Sequence, residues 1–261
     1  MRASAARPLS THDSDTHDTA ILTIDLAALA DNYRDLRNRT HPAECAAVVK
    51  ADAYGLGMVQ AASVLWRAGC RTFFVATIAE AIDLRTLLPD AVIYVLNGIL
   101  AGTAATFQEY GLRPVLNSAN EVRDWADYCA HFRKALPCAV HVDTGMNRLG
   151  LSAGEVDEIQ DAAELWQTLA LSLVMSHLAC ADDHTHAKNA HQRARFDAVR
   201  AKLPEALTSF ANSAGILLGP DYHYDLVRPG IALYGGHPQR QGESPFRAVV
   251  HLMGRILQIR H

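Results

Sequence analysis

Chemistry in this chain starts with a lysine. The stretch "AAVVKADAYGLG" (46–57) runs four small apolar residues into Lys50, followed closely by Asp52, Tyr54 and two glycines. An amine at the end of a buried strand loses water, its pKa falls, and the neutral form can attack a carbonyl to give a Schiff base. A solvated strand-end lysine is the plainer reading. "YGLG" weighs against it, because glycines let the backbone close on a ligand and Tyr54 carries a hydroxyl that could reach a phosphate oxygen. A second cluster lies in "NSAG" (212–215) and "RPGIALYG" (228–235). Here the Ser213 hydroxyl and the amides near Gly230 and Ile231 could donate to an anion, with Asn212 and Arg228 beside them. "RPG" by itself would be only a turn. His177 in "SHLACAD" and Arg148 in "DTGMNRLG" complete the candidates, the bland reading of Arg148 being a surface arginine on a polar turn.

These residues can act together only if the chain positions them together. Eight strand-like runs recur: 46–51, 73–77, 92–98, 113–117, 139–145, 169–178, 209–215 and 226–235. Most are continuously apolar, as in strands buried on both faces of a parallel sheet. Helical stretches at 58–69, 78–88 and 120–135 separate them, with Gly69 placed as a C-terminal cap and Ser118 as an N-cap. Alternation of this kind repeated eight times predicts an α/β fold closed as a (β/α)8 TIM-type barrel. An extra strand and helix precede it (21–40). Working residues of such barrels sit at the C-terminal ends of strands. Lys50 then follows the first strand, His177 the sixth, Asn212 and Ser213 the seventh, and Arg228 lies on the eighth.

Composition narrows the classes. Of 261 residues 49% are hydrophobic and the formal charge is −4, with no basic stripe for nucleic acid. No apolar run approaches the roughly 18 residues of a membrane span, and the polar first twenty residues lack a signal-peptide core. They read as a disordered N-terminal arm (1–20). Five scattered cysteines without a CxxC pair suit reduced thiols in the cytoplasm. His184, His186 and His191 in "DDHTHAKNAH" have no metal-ligand spacing, so no metal is expected. Trp66, Trp125 and Trp166 fall in helical stretches and read as packing anchors.

Taken in order, "AVVKADAYGLG", "DTGMNRLG", "SHLACAD", "ANSAG" and "VRPGIALYG" resemble the barrel domain of the pyridoxal 5'-phosphate (PLP)-dependent alanine racemases, over roughly residues 21–261. The resemblance implies a cytoplasmic isomerase interconverting L- and D-alanine and supplying D-alanine for peptidoglycan. It implies that Lys50 carries PLP as a Schiff base and acts on the α-proton of D-alanine. Tyr54, Ser213, Gly230 and Ile231 would hold the phosphate, with Asn212 alongside. Arg228 would face the pyridine nitrogen, His177 would support the cofactor and hydrogen-bond toward Arg228, and Arg148 would bind the substrate carboxylate. The PLP-binding barrel would span 21–240, and 241–261 would be the first strand of a truncated C-terminal β domain, leaving apolar strand residues unpaired. In the intact family that domain supplies a second catalytic tyrosine across a homodimer, so this chain would be impaired. His141 stands where many members carry a carbamylated lysine, which puts the positioning of Arg148 in question. A non-catalytic PLP-binding barrel, a racemase of serine, and a non-functional fragment remain as alternatives.

Overall fold

A computed structural model describes residues 18–261. Ala20–Ile24 forms β1 and Leu26–Thr40 forms α1, the helix starting where the Asp25 side chain accepts the Ala28 N–H at 2.8 Å. The sequence then enters the barrel through β2 (Glu44–Cys45) and β3 (Ala47–Val48), one strand interrupted at Ala46. The remaining strands are β4 (Thr72–Val75), β5 (Val92–Val95), β6 (Arg113–Leu116), β7 (Pro137–His141), β8 (Ala170–Met175), β9 (Leu207–Asn212) and β10 (Leu226–Arg228). Every neighbouring pair is parallel, from β3 through β4 and onward to β10, and β10 pairs back onto β2. The expected eight-stranded barrel is therefore closed.

The outer helices are α3 (Met58–Arg67), α4 (Ile78–Leu87), α5 (Ala104–Glu109), α6 (Ala119–Phe132), α7 (Ala153–Ile159), α8 (Ala163–Gln167) and α9 (Lys188–Arg200). Between β3 and α3 lies a single helical turn, α2 (Lys50–Gly55), and between β9 and β10 another, α10 (Ser213–Ile216). Ser118 caps α6 as anticipated, accepting the Glu121 N–H at 3.2 Å. No regular helix follows β10. Instead, α1 is tied to the segment after that strand: Asn32 Nδ2 donates to Leu233 O and Arg247 O at 3.1 and 2.9 Å, and Asn32 Oδ1 accepts the Arg247 N–H at 2.8 Å.

Two cores follow from the period of two along each strand. Ala46, Val48, Phe74, Tyr94, Val115, Ala139, Leu173, Met175 and Leu226 pack together inside the barrel. The alternate residues, such as Phe73, Ile93 and Val227, face the helices. Trp125 and Trp166 are buried there, and Trp66, partly buried, is covered by the Arg71 guanidinium 4.2 Å from its ring centroid.

Several boundaries differ from the sequence reading. The runs at 139–145, 169–178 and 226–235 extended strands into loops, because "IALYG" and "SHL" run as turn and loop rather than ladder. Of the expected arm, residues 1–17 lie outside the described residues, and Ala20 already belongs to β1. Val250–Gly254 forms β11, antiparallel to β1 in a separate two-stranded sheet. These strand residues are thus paired, contrary to expectation, because β1 stands outside the barrel with an edge available. Leu252, Ile256, Leu257 and Ile259 are nonetheless exposed.

Candidate functional site

The inner rows of the barrel continue upward into the site. Ala46 and Val48 lead by the same parity to Lys50, Ala139 to His141, Leu173 and Met175 to His177, and Leu226 to Arg228. At the mouth these residues line one cavity of about 640 Å³, together with Tyr54, Arg148, Asn212, Ser213, Gly230 and Ile231. All the site residues expected from sequence are thus brought together on one face. Its volume is in the range of small-molecule sites.

Lys50 is half-buried where β3 ends. Loss of water lowers its amine pKa, the Arg148 charge lowers it further, and Glu80 opposes them. The chain turns away from Lys50 in an unusual conformation. Ala51, Asp52, Ala53 and Tyr54 have φ of 52°, 52°, 54° and 59°, four consecutive non-glycine residues in the left-handed region. Each costs roughly 1–2 kcal/mol against a right-handed turn, so the surroundings must hold them. Asp52 Oδ1 accepts the Met58 N–H at 2.6 Å, and Glu80 Oε1 accepts the Ala51 N–H at 2.6 Å. The run places the Tyr54 hydroxyl against Gly230. A Cβ on Gly230 would lie 2.2 Å from Tyr54 Oη, so this close approach requires glycine.

Opposite, Ser213 Oγ accepts the Gly230 N–H at 2.9 Å and the Ala232 N–H at 3.2 Å. Its lone pairs are occupied and its own proton is left to donate. The Gly230 amide is therefore engaged within the protein, while the Ile231 N–H between them has no acceptor among the described residues. Burial raises the pKa of Tyr54, keeping its hydroxyl a donor, and that hydroxyl likewise has no partner among the described residues.

Arg228 is buried at the barrel axis with no carboxylate partner among the described residues. Its Nη1 donates to Ser209 Oγ and its Nη2 to Ser176 O, and its carbon lies 5.9 Å from the Phe74 ring centroid. Burial pushes its pKa down to about 9, which leaves it protonated at neutral pH. The anticipated bond from His177 to Arg228 is not formed. His177 Nε2 instead faces Asn212 Nδ2 at 3.3 Å. Asn212 Oδ1 is held by the Gly215 N–H at 2.9 Å, which fixes the amide orientation. Asn212 is therefore the donor and the His177 proton belongs on Nδ1. Burial, reinforced by Arg228 and Arg148, lowers the His177 pKa well below 6.5, so the ring is neutral.

His141 has the opposite arrangement. Asn117 Nδ2 donates to Leu96 O and Val115 O at 3.0 and 2.8 Å, which turns its Oδ1 toward His141 Nδ1 at 2.9 Å. His141 Nε2 is left as a buried acceptor without a partner among the described residues, on a ring whose pKa burial pushes down to about 4. Arg148 is exposed at the rim and has no hydrogen-bond partner among the described residues.

Other positioning residues were not anticipated. Gln192 Nε2 donates to Thr144 Oγ1 and His177 O at 3.2 and 2.9 Å, and its Oε1 accepts the Ala179 N–H at 2.9 Å. It ties the loops after β7 and β8 together. Thr144 Oγ1 in turn meets Ser176 Oγ at 2.8 Å. The available signal was polarity: Ser176, Ser209 and Asn117 interrupt otherwise apolar strand runs, where a buried polar group needs a partner.

The cavity thus gathers Lys50, Arg148, Arg228 and Arg240, with Asp182 as its sole acidic side chain, already paired with Arg240 at 2.6 Å. Unpartnered donors on Tyr54, Ser213 and Ile231 stand at one end and a desolvated amine at the other. Fold and site define a (β/α)8 barrel whose mouth holds a cation-rich cavity with a half-buried amine on one side and unpartnered donors on the other.

The chain belongs to the family described as "Alanine racemase, N-terminal domain", whose model matches residues 24–238. It is 51% identical to the alanine racemase of Methylobacterium sp. (strain 4-46) over 241 residues, covering 92% of this chain and 66% of that protein. Against the alanine racemase of Rhodospirillum rubrum it is 49% identical, covering 93% of this chain and 65% of the relative. The chain therefore spans about two thirds of the length of these curated relatives. Among solved structures, alanine racemase from Bartonella henselae with covalently bound pyridoxal phosphate superposes with a TM-score of 0.89 at 44% identity, covering 93% of this chain and 71% of the other. Alanine racemase from Streptomyces coelicolor A3(2) gives a TM-score of 0.82 at 33% identity, covering 92% and 67%.

Proposed function

We propose that this chain is the PLP-binding barrel of a cytoplasmic amino-acid racemase that interconverts L- and D-alanine, supplying D-alanine for peptidoglycan. The observation that carries the reading is the pairing of a desolvated lysine with a cradle of unpartnered donors in one cation-rich cavity. The likeness to a relative with covalently bound pyridoxal phosphate supports it. No helix among the described residues is long and apolar enough to cross a membrane, and four of the five free cysteines are buried.

Pyridoxal phosphate, when bound, supplies a carbonyl carbon for an amine to join and a conjugated ring that withdraws electrons from the substrate α-carbon. The residues fit it. Tyr54 Oη, Ser213 Oγ and the Ile231 N–H would bind the phosphate, and Gly230 lets them approach one another. Lys50 Nζ would hold the cofactor, and the lowering of its pKa by burial and Arg148 favours the neutral amine that moving an α-proton calls for. Arg228, protonated and fixed by Ser209 and Ser176, has only donors to offer and would not supply an acceptor to a protonated ring nitrogen placed against it. Arg148 brings its free guanidinium to the substrate carboxylate. Asn212 and His177, in contact at 3.3 Å, would line the cofactor's side of the cavity. Lys50 serves one face of the α-carbon; the family resemblance assigns the other to a tyrosine of a partner subunit in a homodimer.

The test is isotope exchange. The chain is supplied with PLP in heavy water and given D-alanine, L-alanine or L-serine. Deuterium entering the α-carbon of D-alanine, and absent with Lys50→Ala, supports the reading. No exchange from a PLP-loaded chain identifies a carrier barrel, and exchange from serine ahead of alanine shifts the substrate.

A further inference from the structure

Three helices at the barrel mouth begin with the same device. Thr77–Glu80, Ser118–Glu121 and Ser152–Glu155 each place a hydroxyl at the N-cap and a glutamate three residues on. In each case the glutamate also reaches sideways. Glu155 accepts the Ala119 N–H at 3.1 Å, and Glu121 is hydrogen-bonded to the backbone of Ile99. Glu80 accepts the Ala76 and Thr77 N–H groups at 2.7 and 3.2 Å with Oε2, and the Ala51 N–H at 2.6 Å with Oε1. Both oxygens are thus engaged, one on its own helix start and one on the residue after Lys50. That residue opens the left-handed run, whose strain calls for an external restraint.

We propose that Glu80 is a positioning residue for Lys50, clamping the left-handed turn at Ala51 so that the amine stays directed into the cavity. The inference rests on the reading of Lys50 as the Schiff-base lysine. Besides shape, Glu80 places a negative charge near the amine. The charged or titratable groups that face Lys50 are Glu80 from α4, Arg148 from the loop after β7 and His177 from the loop after β8. Glu80 opposes the lowering by burial and Arg148, and the His177 ring is neutral. Removing the Glu80 charge therefore lowers the Lys50 pKa further.

The test uses two readouts, one independent of the cofactor. Competitive acetylation of the cofactor-free chain, followed by peptide mass spectrometry, gives the pH midpoint at which Lys50 becomes reactive. Spectrophotometric titration with PLP gives its affinity. In Glu80→Gln the charge is lost and one oxygen becomes an NH2 that cannot accept, so the Ala51 N–H and the helix start compete for the one oxygen left. The Lys50 midpoint falls, and PLP binds on the order of tenfold more weakly. Adding Ala51→Gly to E80Q removes the Cβ cost of φ 52° and recovers part of the PLP affinity, while the midpoint stays low. This double variant relieves the strain at position 51 and carries the acetylation readout should E80Q alone not fold. Thr77→Ala breaks the cap, which has Thr77 Oγ1 accepting the Glu80 N–H at 3.3 Å, and leaves both readouts at the wild-type values. A Lys50 midpoint unchanged by E80Q, or one moved equally by T77A, overturns the proposal. If wild type takes up no PLP at Lys50, the proposed function falls, but the acetylation comparison still decides whether Glu80 governs the amine.

Discussion

Replacing Gly230 by alanine tests the anion cradle through a single methyl group. Gly230 does not have a left-handed φ, so the backbone itself tolerates alanine. The new Cβ would stand 2.2 Å from Tyr54 Oη and 3.0 Å from its Cζ. Ordinary contact begins at about 3.4 Å, so the hydroxyl must withdraw by more than an ångström. Tyr54 is 39% exposed and its ring end can swing outward. The stability cost is therefore small, about 1 kcal/mol or less, below the 1–3 typical of an overpacked core. Binding pays more heavily, because a charge-assisted hydrogen bond to phosphate is worth roughly 1.5–3 kcal/mol, or about ten- to a hundredfold in PLP affinity. The assay is PLP titration of wild type, Gly230→Ala, Tyr54→Phe and the double variant, with thermal melts of each cofactor-free chain. G230A and Y54F lose affinity by similar factors, and the double variant loses little more than either, since the hydroxyl can be lost only once. Wild-type affinity in G230A, or additive losses in the double variant, refutes the reasoning.

Further consequences concern acid, the buried arginine and the thiols. The folded pKa of His141, about 4, lies below its ordinary 6.5, so the unfolded chain takes up a proton first as pH falls. Stability is thus full above 6.5 and falls by about 3 kcal/mol between 6.5 and 4; His177, shifted in the same direction, adds to the slope. Denaturant midpoints across that window show it, and His141→Gln flattens part of it, whereas an unaltered slope contradicts the assignment. Ser209→Ala takes one acceptor from the buried Arg228 guanidinium and lowers unfolding free energy by about 1–3 kcal/mol, read in urea; a change within error shows that Arg228 finds another partner. Cys180 alone is partly exposed among the five free cysteines, so a native thiol titration modifies one group and a denatured one five, whereas rapid modification of several native thiols speaks against the packed core.

The barrel and the members of the site were readable because both follow from periodicity. Strands buried on both faces are apolar throughout, so a lysine or arginine at their C-terminal end stands out, and parity sends Lys50, His177 and Arg228 to the same axis. What parity cannot reveal is the wiring between them. His177 bonds Asn212 rather than Arg228 because Ser209 and the Ser176 carbonyl already hold the guanidinium, a choice made by side chains distant in sequence. The "TIAE" that caps α4 is a legible pattern, but its second contact with Ala51 depends on the packing of α4 beside the first strand. Left-handed geometry at Ala51–Tyr54 carries no sequence signal either, since none of the four is glycine or asparagine. The ends of the eighth strand were misjudged for a related reason: in "PGIALY" Ala232, Leu233 and Tyr234 are buried in a turn tied to α1 through Leu233, while Ile231 lines the cavity, and none of them joins the ladder.

Borohydride reduction of the PLP-treated chain followed by peptide mapping shows most directly whether Lys50 is the amine that carries the cofactor. The sequence has four lysines, Lys50, Lys134, Lys188 and Lys202. Lys134 and Lys202 are exposed, with Lys202 paired to Asp157 at 2.5 Å. A single phosphopyridoxyl adduct at Lys50, formed with stoichiometric PLP, is the predicted result. Label spread over the exposed lysines, or an unmodified Lys50, contradicts the account.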